Sequence, residues 1–229
     1  MKPDGAGGAK RDERDAGEAE PGHGRFVSMA HSHGAHAHDR HGARQPERFD
    51  PARAAVLDDP ERFTYVAPDA LLALLDPPAG STLIDFGTGT GLYAFAIAQR
   101  RPDLRVLAVD EQDAMLGIVR EKLAASPASP VTAVDAAGLL HAPQRAQRIL
   151  ALNVLHELGD DALRGMLNLL EPGGVALVVD WRRDPNRTIG PPNDHVYSEG
   201  EARERLRSFA PHVTPAGAFA YHYAMLVTR

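Results

Sequence analysis

The sequence predicts an α/β fold in which a doubly wound, mostly parallel sheet carries helices on both faces. The first observation is a series of short, continuously apolar runs that alternate with stretches of helical spacing. Such alternation is typical of parallel strands that are covered on both sides. The second observation is a turn of alternating glycines, GTGTG at 87–91, which directly follows the first of these runs. A glycine-rich turn between a strand and a helix is a common ligand site in such folds.

Each strand and helix of this α/β region is predicted from its own residues. The predicted strands are TLIDF (82–86), RVLAVD (105–110), PVTAV (130–134), RILALNV (148–154), GVALVVDW (174–181) and YHYAMLVTR (221–229). The predicted helices span about 91–101, 113–124, 160–170 and 199–209.

Three segments are expected along the chain. Residues 1–45 are rich in Gly, Ala, His and charge and poor in large apolar residues, so burial could not offset their ordering entropy, and we expect a disordered His-rich tail. Residues 46–79 are expected to form a helical prelude or lid. Within it, Asp50 and Asp59 each precede a proline in the manner of a helix N-cap, and a further helix is expected at 68–76. Residues 80–229 form the third segment.

The composition argues against several classes of function. The chain has no cysteine, which removes disulfides, thiol nucleophiles and thiolate metal sites. Its net charge is −6 with basic and acidic residues interleaved, which gives no electrostatic footprint for DNA or an anionic membrane. No apolar run is long enough to span a membrane, and no apolar core of a signal peptide follows the first charges. We therefore expect a cytoplasmic protein without a DNA or membrane partner.

The tail carries six of the eleven histidines of the chain, between residues 23 and 41. Imidazoles this dense on a flexible segment can bind Ni, Cu or Zn weakly, and we expect weak divalent metal binding there without a defined metal site. The alternative is a solvated low-complexity tail whose metal affinity is incidental.

The glycine turn is compatible with two kinds of cofactor. A dinucleotide fingerprint requires G-x-G-x-x-G, but here the third glycine position of that pattern is Leu92. Asp85 also places a carboxylate two residues before the first glycine, close to where a pyrophosphate would lie. A carboxylate disfavours an anion and favours an ammonium group, so an NAD-dependent oxidoreductase is the weaker alternative.

The segment DFGTGTG at 85–91 resembles motif I, D/E-x-G-x-G-x-G, of the class I S-adenosylmethionine (SAM)-dependent methyltransferases. Further segments are similar to this family in the expected order: RVLAVDEQDAML (105–116), VTAVDAAGLL (131–140), LALNVLHEL (150–158) and LLEPGGVALVVDW (169–181). The resemblance covers about residues 78–229 and implies a Rossmann-like, seven-stranded sheet, a SAM-binding methyltransferase domain at 80–229 and SAM as the cofactor. The N/D-P-P-Y/F motif of DNA amino-methyltransferases is absent after the fourth strand, and the cysteines of arsenite methyltransferases are absent from the chain. The resemblance therefore implies a small-molecule methyl acceptor.

The same resemblance assigns the cofactor-binding residues. Asp85 is expected near the methionine amino group of SAM, and Asp110 on the ribose hydroxyls, where a carboxylate can accept two hydroxyl donors. The remaining expected contacts are the glycine loop (Gly87, Thr88, Gly89 and Gly91), Glu111 beside the ribose, Asp135 at the adenine amino group and Asn153 in the loop that faces the sulfonium. For Asp135, a turn-capping role is the alternative.

Methyl transfer from a sulfonium requires an acceptor in line with the S–CH3 bond, and a general base when the acceptor is a hydroxyl or a protonated nitrogen. The candidate catalytic residues are His156, which follows the fourth predicted strand, and His195 and Tyr197, which lie in a Pro-rich loop after the fifth. Structural roles are the alternative for each. Tyr221, His222 and Tyr223 alternate along a predicted strand and are expected to have core or surface roles.

The sequence leaves the acceptor and the methylated atom open. A rival hypothesis is a non-catalytic protein of this fold whose His-rich tail handles metal.

Overall fold

The computed structural model of the chain describes residues 48–141 and 143–229. They contain a seven-stranded sheet with the order β3-β2-β1-β4-β5-β7-β6. The strands are β1 (Thr82–Phe86), β2 (Arg105–Asp110), β3 (Val131–Asp135), β4 (Ala146–Leu152), β5 (Leu170–Trp181), β6 (His212–Ala218) and β7 (His222–Thr228). Neighbouring strands among β1–β5 pair in parallel, and β7 is antiparallel to both β5 and β6. The predicted fold class is confirmed.

Within the residues that the structure describes, seven α-helices and two 3-10 helices precede or connect the strands. They are the 3-10 helix Pro51–Asp58, α1 (Arg62–Tyr65), α2 (Pro68–Leu75), α3 (Leu92–Arg100), α4 (Asp113–Ala125), α5 (Ala136–His141), α6 (Asp160–Asn168), the 3-10 helix Asn193–His195 and α7 (Glu199–Arg207). Asp50 caps the first of these through the amide of Ala52, as its position before proline predicts. The turn at Asp59 does not continue directly into a helix, and α1 begins only at Arg62.

The two faces of the sheet are both covered. On the prelude face, β5 contributes Leu177 and Val179 to a core with α2, α3 and the residues around α1. On the opposite face, called the α6 face, β5 contributes Ala176 and Val178 to a core with α5, α6 and α7. Burial on both sides explains why the central strands are continuously apolar.

The parallel strands β1–β5 end at a common edge of the sheet, and this edge positions the site. The order of the strands reverses between β1 and β4, which pair with each other. In folds of this kind ligands bind at such a switch point, beyond the carboxyl ends of the strands. Asp85, Asp110 and Asp135 lie at this edge, at or one residue before the ends of their strands.

Three elements were not predicted from the sequence, namely the 3-10 helix Asn193–His195, strand β6 and helix α5. Strand β6 contains Pro215 and Gly217, which are both unfavourable in a strand, but β6 lies at the sheet edge and its register shifts between these two residues. Helix α5 is a short helix that follows β3 without a break. The expected His-rich tail at 1–45 lies outside the described residues.

Among the helices of residues 48–141 and 143–229, none is both long and apolar enough to cross a membrane. The cytoplasmic location stays a prediction.

Candidate functional site

The glycine loop between β1 and α3 folds back onto the end of β2. The amides of Gly87 and Thr88 both donate to the carbonyl of Val109, at 2.8 and 2.9 Å. Gly87 has a φ of +74°, which strongly favours glycine, and a Cβ at this position would lie 2.6 Å from Cγ2 of Val154. The loop therefore presents bare backbone next to the residues that follow β4.

Asp85 lies beneath this loop and is 3% exposed. The hydroxyl of Thr88 donates to its Oδ2 at 2.7 Å. Burial raises the pKa of Asp85 to about 6 in spite of this hydrogen bond, the charge of Asp110 raises it further, and the charge of Arg62 lowers it. A buried carboxylate in this condition is suited to a cationic ligand, whose charge would offset the cost of burial.

Asp110, at the end of β2, organises the same loop. Its Oδ2 accepts from the amide of Gly89 at 2.8 Å, and its Oδ1 accepts from the amide of Gln112 at 2.9 Å. Asp110 is 7% exposed, and burial raises the pKa of its carboxyl group in spite of these hydrogen bonds. Since each carboxylate oxygen can accept two hydrogen bonds, one from each amide leaves capacity for a ligand hydroxyl at both oxygens.

Glu111 and Asp135 are in more open positions. Glu111 forms an ion pair with Arg48 at 2.5 Å. Asp135 is opposite Asp110 in the register of β2 and β3, and its Oδ2 accepts from the amide of Gly138 at 2.6 Å. The structure thus gives Asp135 the turn-capping contact that was its alternative role, at the same edge as Asp110.

Asn153, which follows β4, has a φ of +58°, and its amide donates to the carbonyl of Val179 at 2.8 Å. Its Oδ1 is buried and has no hydrogen-bond partner within the part of the chain that the structure describes. An orphaned acceptor at the switch point is unusual in a native structure. It is available to a donor group of a ligand.

His156 lies in the loop after β4 and is paired with Asp180, near the end of β5. Its Nδ1 is 2.9 Å from both carboxylate oxygens of Asp180, and its backbone amide donates to Oδ2 at 2.9 Å. The side chain of His156 is 9% exposed and that of Asp180 is fully buried. The Nε2 of His156 is 3.6 Å from Oε1 of Glu157. Asp180 therefore fixes the position of the imidazole and directs Nε2 away from the strand.

The charges around His156 determine its protonation. Burial lowers the pKa of its imidazole, but the charge of Asp180, their hydrogen bond and the charge of Glu157 together raise it above the usual 6.5. Arg187 opposes this effect. Burial also raises the pKa of Glu157, whose Oε2 accepts from the amide of Phe49.

Tyr197 is predicted as a pocket residue, with loop anchoring as the alternative. It packs against the core of the α6 face, and Nη1 of Arg205 donates to its hydroxyl. Arg205 also donates to the carbonyl of Leu158 at 2.6 Å. These contacts favour the anchoring role for Tyr197. His195 ends the second 3-10 helix, with its Nε2 at 3.9 Å from Oδ1 of Asp194.

The described part of the prelude is tied to the site by polar contacts. Asp58 accepts from the hydroxyl of Thr90 at 2.6 Å and from Nζ of Lys122 at 2.5 Å. Gln112 donates through Nε2 to the carbonyl of Phe49 at 3.1 Å. The prelude thus contacts both the glycine loop and the segment after β2. Within the described residues, no cluster of three or more His, Asp or Glu could hold a metal ion.

Known proteins are similar to this chain over the same region. Residues 84–176 match the family model of the methyltransferase domain. Trans-aconitate 2-methyltransferase of Paracidovorax citrulli is 30% identical over 152 residues, which cover 61% of this chain and 57% of the relative. Release factor glutamine methyltransferase of Aliivibrio fischeri is 40% identical over 68 residues, or 30% of this chain and 22% of the relative. The chain thus spans less than two thirds of the length of these curated relatives.

Solved structures share the fold. A SAM-dependent methyltransferase from Aquifex aeolicus is 25% identical with a TM-score of 0.68, over 79% of this chain and all of that one. Human N-acetylserotonin methyltransferase in complex with SAM is 18% identical with a TM-score of 0.58, over 78% of this chain and 55% of that one.

The sheet order, the glycine loop and the acidic residues at the strand ends define the fold of a class I SAM-dependent methyltransferase. Residues 84–176 carry the matched part of its methyltransferase domain. The comparisons confirm the predicted class, together with SAM as the cofactor of this class.

Proposed function

We propose that this chain transfers the sulfonium methyl group of SAM to a small-molecule acceptor by in-line displacement. The observation that carries the proposal is the site at the switch point. There the buried Asp85 lies under the glycine loop, and Asp110 accepts a hydrogen bond from the amide of Gly89 in that loop. The similarity to trans-aconitate 2-methyltransferases supports a small acceptor.

The residues of the site fit the cofactor. Asp85 would bind the methionine ammonium group, because that charge offsets the burial of its carboxylate. Arg62 supplies a positive charge close to Asp85, because it lowers the pKa of that carboxyl group. Its Nη1 donates to the carbonyl of Leu57 at 2.7 Å, which fixes the guanidinium group. We assign it to the methionine carboxylate. Asp110 would accept from the ribose hydroxyls, and the orphaned Oδ1 of Asn153 is a further acceptor at the methionine end.

SAM supplies an activated methyl group when bound, so the chain has mainly to hold the acceptor and exclude water. Positioning of this kind accounts for about 7–11 kcal/mol of a barrier. The contacts of the prelude with Thr90 and Gln112 support a covering role over the cofactor. We propose that residues 46–79 act as the lid of the site.

His156 is the proposed general base for a hydroxyl or protonated nitrogen acceptor. Its Nδ1 is held by Asp180, which makes Nε2 the atom that takes the proton. Because Asp180 and Glu157 raise the pKa of His156 above 6.5, the base form accumulates only as the pH rises above that value. A carboxylate acceptor is already ionised and would need no base.

The test is methyl transfer itself. Full-length protein is incubated with methyl-labelled SAM and a panel of carboxylic acids, phenols and amines, and label in the acceptor and formation of S-adenosylhomocysteine are measured. We expect both to depend on one class of acceptor. An Asp110→Ala control should lose about 1–3 kcal/mol of cofactor binding. Tight SAM binding without transfer to any member of the panel would contradict the proposal and favour a non-catalytic role.

A further inference from the structure

His222, at the start of β7, is a buried polar side chain without a protein partner. It is 1% exposed, and neither Nδ1 nor Nε2 has a hydrogen-bond partner among residues 48–141 and 143–229. Nearly all buried polar groups in native proteins are hydrogen-bonded, so each exception requires an explanation. An imidazole with two unsatisfied nitrogens costs free energy that a ligand could recover.

The position of His222 relates it to the site. It is directly opposite Trp181 in the antiparallel pair β5–β7, and the two rings are 4.1 Å apart with an angle of 34°. Alternation along the strands places both side chains on the prelude face, with Val179 and Ala224. The preceding residue of β5, Asp180, points to the opposite face and holds His156. Two imidazoles therefore lie against the end of β5, His222 on the prelude face and His156 on the α6 face. Of these two, only His156 has a carboxylate partner.

The surroundings keep His222 uncharged. Burial lowers the pKa of its imidazole to about 4, and Arg62, Arg187 and Arg182 lower it further, whereas Asp180 raises it. The imidazole is thus neutral at physiological pH, with one ring nitrogen as donor and the other as acceptor. It is suited to hydrogen bonding and not to proton transfer.

The stacking partner of His222 is itself held in place. The guanidinium of Arg187 lies over the ring of Trp181 at 5.4 Å. The donors of Arg187 are bound within its own loop, with Nε at 3.2 Å from the carbonyl of Arg182 and Nη2 at 2.5 Å from the carbonyl of Pro191. This arrangement restricts Trp181 and, through it, the plane of the imidazole.

The residue before His222 also carries an aromatic ring. Tyr221 precedes it in the chain and packs edge-on against Tyr65 of α1, with ring centroids 5.5 Å apart. Trp181 stacks on His222 and Tyr221 is its neighbour in the chain, so this part of the protein carries aromatic rings of the kind that pack against planar ligands.

We propose that His222 positions the methyl acceptor by hydrogen bonding to it, and that the acceptor is a planar compound bearing a neutral hydroxyl group. The inference rests on the proposed function. The N–H of a neutral imidazole can donate to the oxygen of an acceptor hydroxyl group and leaves the hydroxyl proton free for a base. His222 acts as a positioning residue and does not itself take the proton.

The test compares variants with catechol as the acceptor probe. His222→Phe keeps a ring against Trp181 but cannot form hydrogen bonds, and we expect KM for catechol to rise at least about tenfold while kcat and the affinity for S-adenosylhomocysteine change less than about twofold. His222→Asn keeps a donor and an acceptor and should recover part of the loss. The matched control is Tyr223→Phe, which removes another buried and unpartnered polar atom, the hydroxyl of the next residue, on the α6 face.

The outcomes are distinct. Unchanged KM in His222→Phe, with thermal stability raised as in Tyr223→Phe, would overturn the proposal and make His222 only an unsatisfied core residue. Wild-type protein that methylates carboxylic acids but not catechol would overturn the acceptor class. Failure of the proposed function would differ from both, because wild-type protein would then show no transfer to any acceptor.

Discussion

The burial of Asp85 makes stability and cofactor binding oppose each other. Its pKa is raised to about 6 by burial and, in addition, by the charge of Asp110, whereas the usual value is 3.8. Because the folded-state pKa is raised above the unfolded one, the ionised carboxylate reduces stability at pH values above 6. The penalty shrinks as the pH falls from 6 and is absent below the unfolded pKa, where both states are protonated.

Replacement of Asp85 by Asn removes this penalty and keeps an oxygen that can accept from Thr88. The difference between a pKa of about 6 and one of 3.8 corresponds to about 3 kcal/mol, at about 1.4 kcal/mol per pKa unit. We expect the variant without cofactor to be more stable than wild type by about 1–3 kcal/mol at pH 8, and this advantage to shrink to about a third at pH 4.5. The same variant should bind SAM at least about tenfold more weakly, since hydrogen bonds to charged groups contribute about 1.5–3 kcal/mol.

The assay is urea denaturation at pH 8 and pH 4.5, followed by the fluorescence of Trp181, the single tryptophan of the chain. Asp113→Asn, whose side chain is 90% exposed, is the control and should show no comparable dependence on pH. An Asp85→Asn variant that is less stable than wild type at pH 8 would refute the reasoning. So would an advantage that is equal at both pH values.

Two further predictions concern the loop and the base. Gly87→Ala should lose about 2–4 kcal/mol of stability in urea denaturation and most of its SAM affinity, because its Cβ would meet Val154 at 2.6 Å. Gly80→Ala is the control: its φ of +69° is similar but its Cβ would point into open space, so it should lose only about 1 kcal/mol and bind SAM normally. Equal losses in the two variants would contradict the role of the contact with Val154. Asp180→Asn should shift the rising limb of kcat/KM against pH downward, because His156 loses the charge that raises its pKa, and an unshifted limb would exclude His156 as the base.

The central strands and the cofactor loop could be predicted because their signals are local. TLIDF and RVLAVD coincide with β1 and β2, since strands buried on both faces are continuously apolar. Asp85 and Asp110 follow from the same segments, because parallel strands end at one edge of the sheet. The contacts of Asp85 and Asp110 with the glycine loop can therefore be predicted once the order of the strands is known.

The acceptor side could not be predicted in the same way because it depends on pairing between distant strands. Asp180 lies near the end of an apolar strand and meets His156, 24 residues earlier, only through the alignment of β4 and β5. The contact of His222 with Trp181 depends likewise on the antiparallel register of β7. An acid in an otherwise apolar strand was a signal for Asp180. No local signal distinguished His222 from its neighbours Tyr221 and Tyr223.

The most direct test is calorimetric titration of the full-length protein with SAM, S-adenosylhomocysteine and NADH, in the presence of a chelator that prevents the metal binding predicted for residues 1–45. We expect SAM and S-adenosylhomocysteine to bind and NADH not to bind, because Asp85 favours an ammonium group over a pyrophosphate. Binding of NADH alone, or of none of the three, would contradict it.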